Sequence, residues 1–165
     1  QKITNRFSKI GSKPSLVAAN VIETIERTTE YFHRRLPQTG KQVELLIKGD
    51  REATALLNAD LFEWVLENLV KNALDAIDHD DGVIEFVVEE ERKRVVVEAS
   101  DNGKGIGMKR KKDVFRPGYS TKRRGWGLGL SLAKRIVEQY HRGKIFVKST
   151  SPETGTTFRI ELRKP

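Results

Sequence analysis

The stretch "ENLVKNALDAI", residues 67–77, decides how the rest of the chain is read. It is the second half of a strongly patterned helix. Asp60 is the expected cap, Glu63 completes a capping box, and the helix is predicted to run to about Ile77. Phe62, Val65, Leu66, Leu69, Ala73, Ala76 and Ile77 form one apolar stripe along it. Asn68 and Asn72 are four residues apart, so they share a face at the rim of that stripe. Asn is a weak helix former, roughly 0.6 kcal/mol worse than Ala, so two at this rim need a reason. Taken alone they are either two surface amides or oxygen donors for a hard cation. Mg²⁺ takes such donors, keeps waters and is shared with phosphates.

Working outward, three further pieces stand in order. "DNGKGIG" at 101–107 places Asp101 directly after a β-like run, with Gly103 and Gly105 free to turn sharply beside it. A strand-end carboxylate accepts well from an exocyclic amine, although Asp-Asn-Gly is also an ordinary turn. "GWGLGLSLAKRIV" at 125–137 alternates glycines with Trp126 and Leu128 and then opens a helix, a placement that suits an anion at the helix start. It is not a dinucleotide fingerprint, because the last glycine of G-x-G-x-x-G would fall on Leu130, and no Walker A pattern occurs anywhere. "GTTF" at 155–158 is by itself a turn between strands.

Around these pieces the pattern is coarse but consistent. Residues 1–19 read as the tail of a helix followed by a Gly-, Ser- and Pro-containing linker. A helix starts at Asn20, with Glu23 as a box partner, and Pro37 and Gly40 end it. Val43–Ile47 and Ala53–Leu57 read as two strands around Gly49-Asp50. Val83–Val88 and Val95–Ala99 form a second strand pair, and Lys144–Ser149 with Thr156–Leu162 close the chain as a hairpin around Gly155. Hairpins with helices between them predict an α/β sandwich with a mixed sheet.

Composition narrows the chemistry. There is no cysteine among the 165 residues, which excludes disulfides, thiolate metal sites and a cysteine nucleophile. No apolar run approaches the roughly 20 residues that span a bilayer, and the chain reads as an intracellular domain taken from a longer protein. Net charge is +8, and Lys109–Arg124 alone holds eight Lys/Arg and one acid, Asp113. The basicity is thus one segment next to the Gly125 helix. That favours an anion held there over a nucleic-acid surface, since no stacking array accompanies it.

Asn-x-x-x-Asn-Ala, then D-x-G-x-G, then G-x-G-L-G-L, then G-T-x-F resembles, in that order, the nucleotide-binding domain of sensor histidine kinases. These belong to the Bergerat-fold, or GHKL, ATP-binding superfamily, and the resemblance covers roughly residues 43–163. It implies a mixed, mostly antiparallel sheet packed on helices. It divides the chain into 1–19, the end of a dimerisation helix and its linker, and 20–165, a catalytic ATP-binding domain. It implies that Asn72 holds Mg²⁺, that Asn68 supports the phosphates, and that Asp101 accepts from the adenine amino group. Gly103 and Gly105 would shape the adenine wall, with Thr156 or Thr157 behind it. Gly125, Gly127, Leu128 and Gly129 would hold the triphosphate. Residues 106–124 would form a lid anchored by Phe115, with Lys122, Arg123 and Arg124 directed at the γ-phosphate.

The same resemblance separates kinase from ATPase. Gyrase-like and chaperone members carry Glu four residues before the metal Asn, as a base that activates water. Here that position is Asn68, and an amide cannot take a proton from water. Glu67 points about 100° further round the helix, toward an acceptor domain or solvent. The reading is a histidine kinase domain that transfers the γ-phosphoryl of Mg·ATP to a histidine on its own dimerisation domain, for relay to a response-regulator aspartate. That histidine is not expected among His33, His79 and His141. The full protein is expected to be a homodimer, cytoplasmic and membrane-associated, with no nucleic acid or membrane contact by this domain. The rivals are a non-transferring nucleotide-binding scaffold and a stand-alone ATPase or serine kinase. "HRG" at 141–143 stands where the family often has "HGG", which puts the local turn geometry at Arg142 in question.

Overall fold

The computed structural model describes residues 15–35, 42–107, 111, 113–116 and 129–165. The elements are β1 (Val17–Asn20), α1 (Val21–Arg35), β2 (Val43–Gly49), β3 (Thr54–Leu57), α2 (Ala59–Ala76), β4 (Gly82–Glu90), β5 (Arg94–Asp101), a single 3₁₀ turn (Asp113–Phe115), α3 (Gly129–Arg135), β6 (Lys144–Ser151) and β7 (Gly155–Arg163). The main sheet has five strands in the order β2-β4-β5-β7-β6. β2 runs parallel to β4, and the other neighbours are antiparallel. The mixed, mostly antiparallel sheet expected from the sequence is therefore present.

Period-two patterning sets the layers. Ile84, Phe86 and Val88 of β4, Val97 and Ala99 of β5, and Phe158 and Ile160 of β7 are buried. They join one core with Ile22 and Ile25 of α1 and Phe62, Val65, Leu66 and Leu69 of α2. The alternate residues form a charged outer face, where Glu98 pairs with Lys148 (2.9 Å) and Arg159 (3.2 Å), and Arg94 pairs with Glu161 (2.9 Å). Exposed pairs of this kind add about 0–1 kcal/mol each, so burial on the helix side, not this network, holds the sheet.

Three expectations are corrected. Asn58, not Asp60, caps α2: its side chain accepts from Leu61 N–H at 3.1 Å, while Asp60 lies in the first turn. An acid there still suits the helix dipole, which is why the pattern read equally well two residues later. β2 and β3 do not pair with each other. Gly49 has φ 117, and a Cβ there would lie 1.9 Å from Val88 O. Asp50 N–H donates to the same carbonyl at 2.8 Å, and Asp50 Oδ2 accepts from Glu90 N–H at 2.7 Å. This turn therefore locks onto β4 and sends the chain out of the main sheet, so β3 pairs instead with β1 in a two-stranded antiparallel sheet. Third, Val17–Asn20 is a strand, so ordered pairing begins three residues before position 20.

Other readings match. Asn20 Oδ1 accepts from Glu23 N–H at 2.9 Å at the start of α1. β4 with β5 and β6 with β7 form the two expected antiparallel pairs. The helix expected at 125–140 is described from Gly129, and over Ile136–Tyr140 it widens to π-type bonding, with His141 N–H reaching Ile136 O at 3.0 Å. No helix among the described residues is long and apolar enough to cross a membrane.

Candidate functional site

Asp101 ends β5, opposite Thr156 of β7. It is 6% exposed, and one of its oxygens, Oδ1, accepts from Gly103 N–H at 2.9 Å. The carboxyl also takes a bond from the Thr156 main chain. Burial pushes its pKa up, and these two backbone donors pull it back down. The carboxyl faces a small hollow walled by Leu69 and Ala73 of α2 and by Phe86, Ala99 and Phe158 of the sheet. A hydrogen-bond acceptor at the edge of an apolar slot is the chemistry a flat ring with an exocyclic amine requires.

The two glycines after Asp101 sit against other elements. A Cβ on Gly103 would lie 2.6 Å from Ala76 O, the carbonyl that also accepts from Lys104 N–H at 2.9 Å. Gly105 has φ 77, and a Cβ there would lie 2.5 Å from Ser151 O. The loop is thus pressed onto the end of α2 on one side and onto the β6 end on the other. Ile106 N–H donates to Thr150 Oγ1 at 2.7 Å, and that hydroxyl also meets Thr156 Oγ1 at 2.9 Å.

Strand alternation puts the two threonines on opposite faces. Thr156 lies on the face of Asp101 and is buried. Thr157 points to the other face, where its hydroxyl meets Ser100 Oγ at 2.8 Å, so it is set apart from the Asp101 hollow.

α2 links this end to a second one. Asn68 Nδ2 donates to Trp64 O at 3.0 Å, which fixes the orientation of the amide, because only its nitrogen can donate. Its oxygen then faces the first residue of α3: a Cβ on Gly129 would lie 3.2 Å from Asn68 Oδ1. Asn72, one turn on, is half-buried on the same helix. From Asn68 to Ala76 the helix rises about 12 Å, so one rigid element carries the amides at one end and the Asp101 loop at the other. Phe115 is buried, packs edge-on against Phe158 with ring centroids 5.9 Å apart, and lies under Lys134 Nζ of α3 at 5.5 Å. Lys122, Arg123, Arg124, Gly125, Gly127 and Leu128, with most of the 106–124 segment, lie outside the described residues. Among the described residues no group of three or more His, Cys, Asp or Glu side chains is placed to hold a metal.

One buried residue escaped the sequence reading. From sequence His141 is placed only as following a helix, yet it is completely buried. Its Nδ1 donates to Ile136 O at 3.0 Å and its Nε2 accepts from Asn58 N–H at 3.1 Å. Burial lowers its pKa and holds it neutral, against the raising effect of its backbone partners. The turn doubt at "HRG" is real: Arg142 has φ 55, the one positive-φ non-glycine among the described residues.

Comparison with known proteins finds the same fold. Residues 58–165 match the model of the histidine kinase-, DNA gyrase B- and HSP90-like ATPase family. The C4-dicarboxylate transport sensor protein DctB of Rhizobium meliloti is 41% identical over 111 residues, 67% of this chain and 17% of that protein. The sensory histidine kinase/phosphatase NtrB of Escherichia coli O157:H7 is 31% identical over 92% of this chain and 46% of that protein. The chain thus spans less than half the length of these relatives. The catalytic domain of histidine kinase ThkA superposes with a TM-score of 0.79 at 27% identity, covering 90% of this chain and 95% of that one. ThkA in complex with the response regulator protein TrrA has the same fold, with a TM-score of 0.78 at 24% identity, covering 99% of this chain and 46% of that one. Asn68, Asn72, Asp101 and Gly103 thus stand within a matched fold, and the chain belongs to the histidine kinase-, DNA gyrase B- and HSP90-like ATPase family, as an ATP-binding domain of the histidine kinase kind.

Proposed function

We propose that this domain donates the γ-phosphoryl group of Mg·ATP to a histidine on a dimerisation domain of the same protein, which then passes it to a response-regulator aspartate. The observation that carries this reading is the Asn68 amide. Its nitrogen is committed to Trp64 O and its oxygen faces Gly129, so no base at this position can activate water. ATP bound here is spared from hydrolysis and kept for an incoming imidazole. In the transfer, the bond from the γ-phosphorus to the β,γ-bridging oxygen breaks and a phosphorus–nitrogen bond forms on the acceptor ring. Catalysis is positioning and charge neutralisation, with little covalent work for protein groups.

Asp101 and Thr156 hold the base, and Gly103 and Gly105 shape that wall. Gly125, Gly127, Leu128 and Gly129 cradle the phosphates. Lys122, Arg123 and Arg124 neutralise the γ-phosphate, and Phe115 anchors their segment on Phe158. The donor set fits Mg²⁺: the amide oxygen of Asn72 is a hard ligand, and a cation that keeps its waters and shares phosphate oxygens needs few from the protein. When bound, that ion offsets the triphosphate charge.

The acceptor lies elsewhere in the protein. His141 is sealed with both ring nitrogens bonded, and His79 Nε2 is engaged by Asn102 O at 3.0 Å. Residues 1–19 are read as the end of a dimerisation helix and its linker, in a cytoplasmic part of a membrane-associated homodimer. ThkA supports the regulator assignment, since it is seen with a response regulator. The test mixes this domain, ATP and a candidate dimerisation domain and measures acid-labile phosphate. Labelling that requires both proteins is expected. Strong labelling of this domain alone on His33, His79 or His141 would overturn the separate-acceptor reading.

A further inference from the structure

Asn58 uses all four of its hydrogen-bonding groups, and they go to three different parts of the fold. Its main-chain oxygen accepts from Phe62 N–H at 2.9 Å and its Oδ1 accepts from Leu61 N–H at 3.1 Å, which starts α2. Its main-chain N–H donates to His141 Nε2 at 3.1 Å, at the far end of the helix that begins at Gly129. Its Nδ2 donates to Ser15 O at 3.2 Å, on the segment leading into β1. The cap requires only the first two bonds, and Ser or Asp would supply them as well. The amide nitrogen is the one atom that chooses Asn, and it reaches only Ser15.

β1 itself has few other holds. It is four residues long, pairs with β3 on one side, and leaves Val17 60% exposed. Asn20 Nδ2 fastens its end to Arg51 O at 2.7 Å. The entering segment is therefore tied to the start of the helix that carries Asn68 and Asn72. Through His141 it is tied also to the end of the helix that Gly129 starts. The far ends of the two helices that carry Asn68 and Gly129 thus meet at this one residue.

We propose that Asn58 is a positioning residue that couples docking of the β1 lead-in to the placement of α2 and α3 at the nucleotide site. Its role in transfer rests on the function proposed above; the coupling itself does not. Coupling between two sites is reciprocal: if a docked β1 favours ATP, ATP favours a docked β1. The amide nitrogen of Asn58 is the contact through which each biases the other.

The test uses the full-length protein and its Asn58→Asp and Asn58→Ser variants, which keep an N-cap acceptor and lose the donor to Ser15. Hydrogen exchange of residues 15–20 is measured with and without ATP and Mg²⁺. In the wild type, saturating nucleotide is expected to slow exchange there at least threefold, and in both variants that change is expected to vanish while the melting temperature stays close to wild type. Steady-state transfer should show a several-fold lower kcat with KM for ATP within twofold. Exchange that ignores nucleotide in the wild type, or responds equally in the variants, overturns the coupling. Coupled exchange in a protein that never transfers phosphate would leave Asn58 in place and overturn the proposed function.

Discussion

The two ends of the proposed nucleotide site are built differently. The Asp101 end is mostly main chain: two backbone donors fix the carboxyl, and Gly103, Lys104, Gly105 and Ile106 each press on or bond to a neighbouring element. The Asn68 end is made where two helices approach, with an oriented amide facing the first residue of α3. The first is fixed by the β5–β7 ladder and cannot move without breaking it. The second depends on how two helices are held at their far ends. With the base at the first end and the phosphates at the second, as proposed, pre-organisation at one and adjustability at the other suit the proposed transfer to a partner.

The largest expected effect is at the fixed end. Asp101→Asn keeps the shape and one acceptor but turns an amide N–H₂ toward backbone donors. A buried donor facing a donor costs the full desolvation of both. Adenine nucleotide affinity is expected to fall more than tenfold in calorimetry, which is more than about 1.4 kcal/mol. An unchanged affinity would remove Asp101 from the base site and the comparison with it.

At the adjustable end the effect is smaller and more selective. Asn72→Ala removes one oxygen donor from the half-buried rim of α2. The difference between triphosphate titrations with and without Mg²⁺ should disappear, while binding without the ion stays near wild type. If the Mg²⁺ dependence survives intact, the metal assignment to Asn72 is wrong.

How far each end was legible follows from the same contrast. Asn68, Asn72, Asp101 and the glycines could be proposed from the sequence because their spacing is local, and the structure sets Asn68 against Gly129 and Gly103 against the end of α2. The helices and the antiparallel pairs were legible from periodicity. β1 was not, because what makes Val17–Asn20 a strand is its partner, Thr54–Leu57, which lies far along the chain. Nor was the departure of β3 from β2, since "GD" reads as a hairpin turn until the Val88 carbonyl is seen capturing it. The cap was read at Asp60, and the bond from Leu61 N–H places it at Asn58 instead. His141 gave no signal at all: a single histidine after a helix does not announce that both of its nitrogens are buried and bonded.

That histidine offers a third test, of the far helix ends on which the adjustable side depends. His141 is neutral when folded and its pKa is lowered, so the unfolded chain takes up its proton first. Its contribution is fully present above the unfolded value of about 6.5 and is lost as pH falls below it, until the folded form also protonates. Over that window denaturant unfolding should lose up to about 1.4 kcal/mol per pH unit from this one group. The slope should be absent in His141→Gln, whatever the exposed His33 and His79 contribute. An identical slope in the variant would mean that His141 does not hold the start of α2 to the end of α3 through a neutral ring.

The smallest effect lies just beyond, at Arg142. Its φ of 55 places an L-residue in the left-handed region, where the Cβ meets the following carbonyl at a cost of roughly 1–2 kcal/mol. Glycine avoids that clash and gives back part of the gain through its larger freedom when unfolded. Arg142→Gly is therefore expected to stabilise the domain by about 0.5–1 kcal/mol, a rise of a few degrees or less in melting temperature. The side chain is exposed and has no part in either end of the site, so nucleotide affinity and its Mg²⁺ dependence should not change. A variant that melts higher and binds as before would locate the strain in the turn alone. One that melts higher and binds differently would mean that the turn after α3 sets the phosphate end, and that the adjustable region extends past His141.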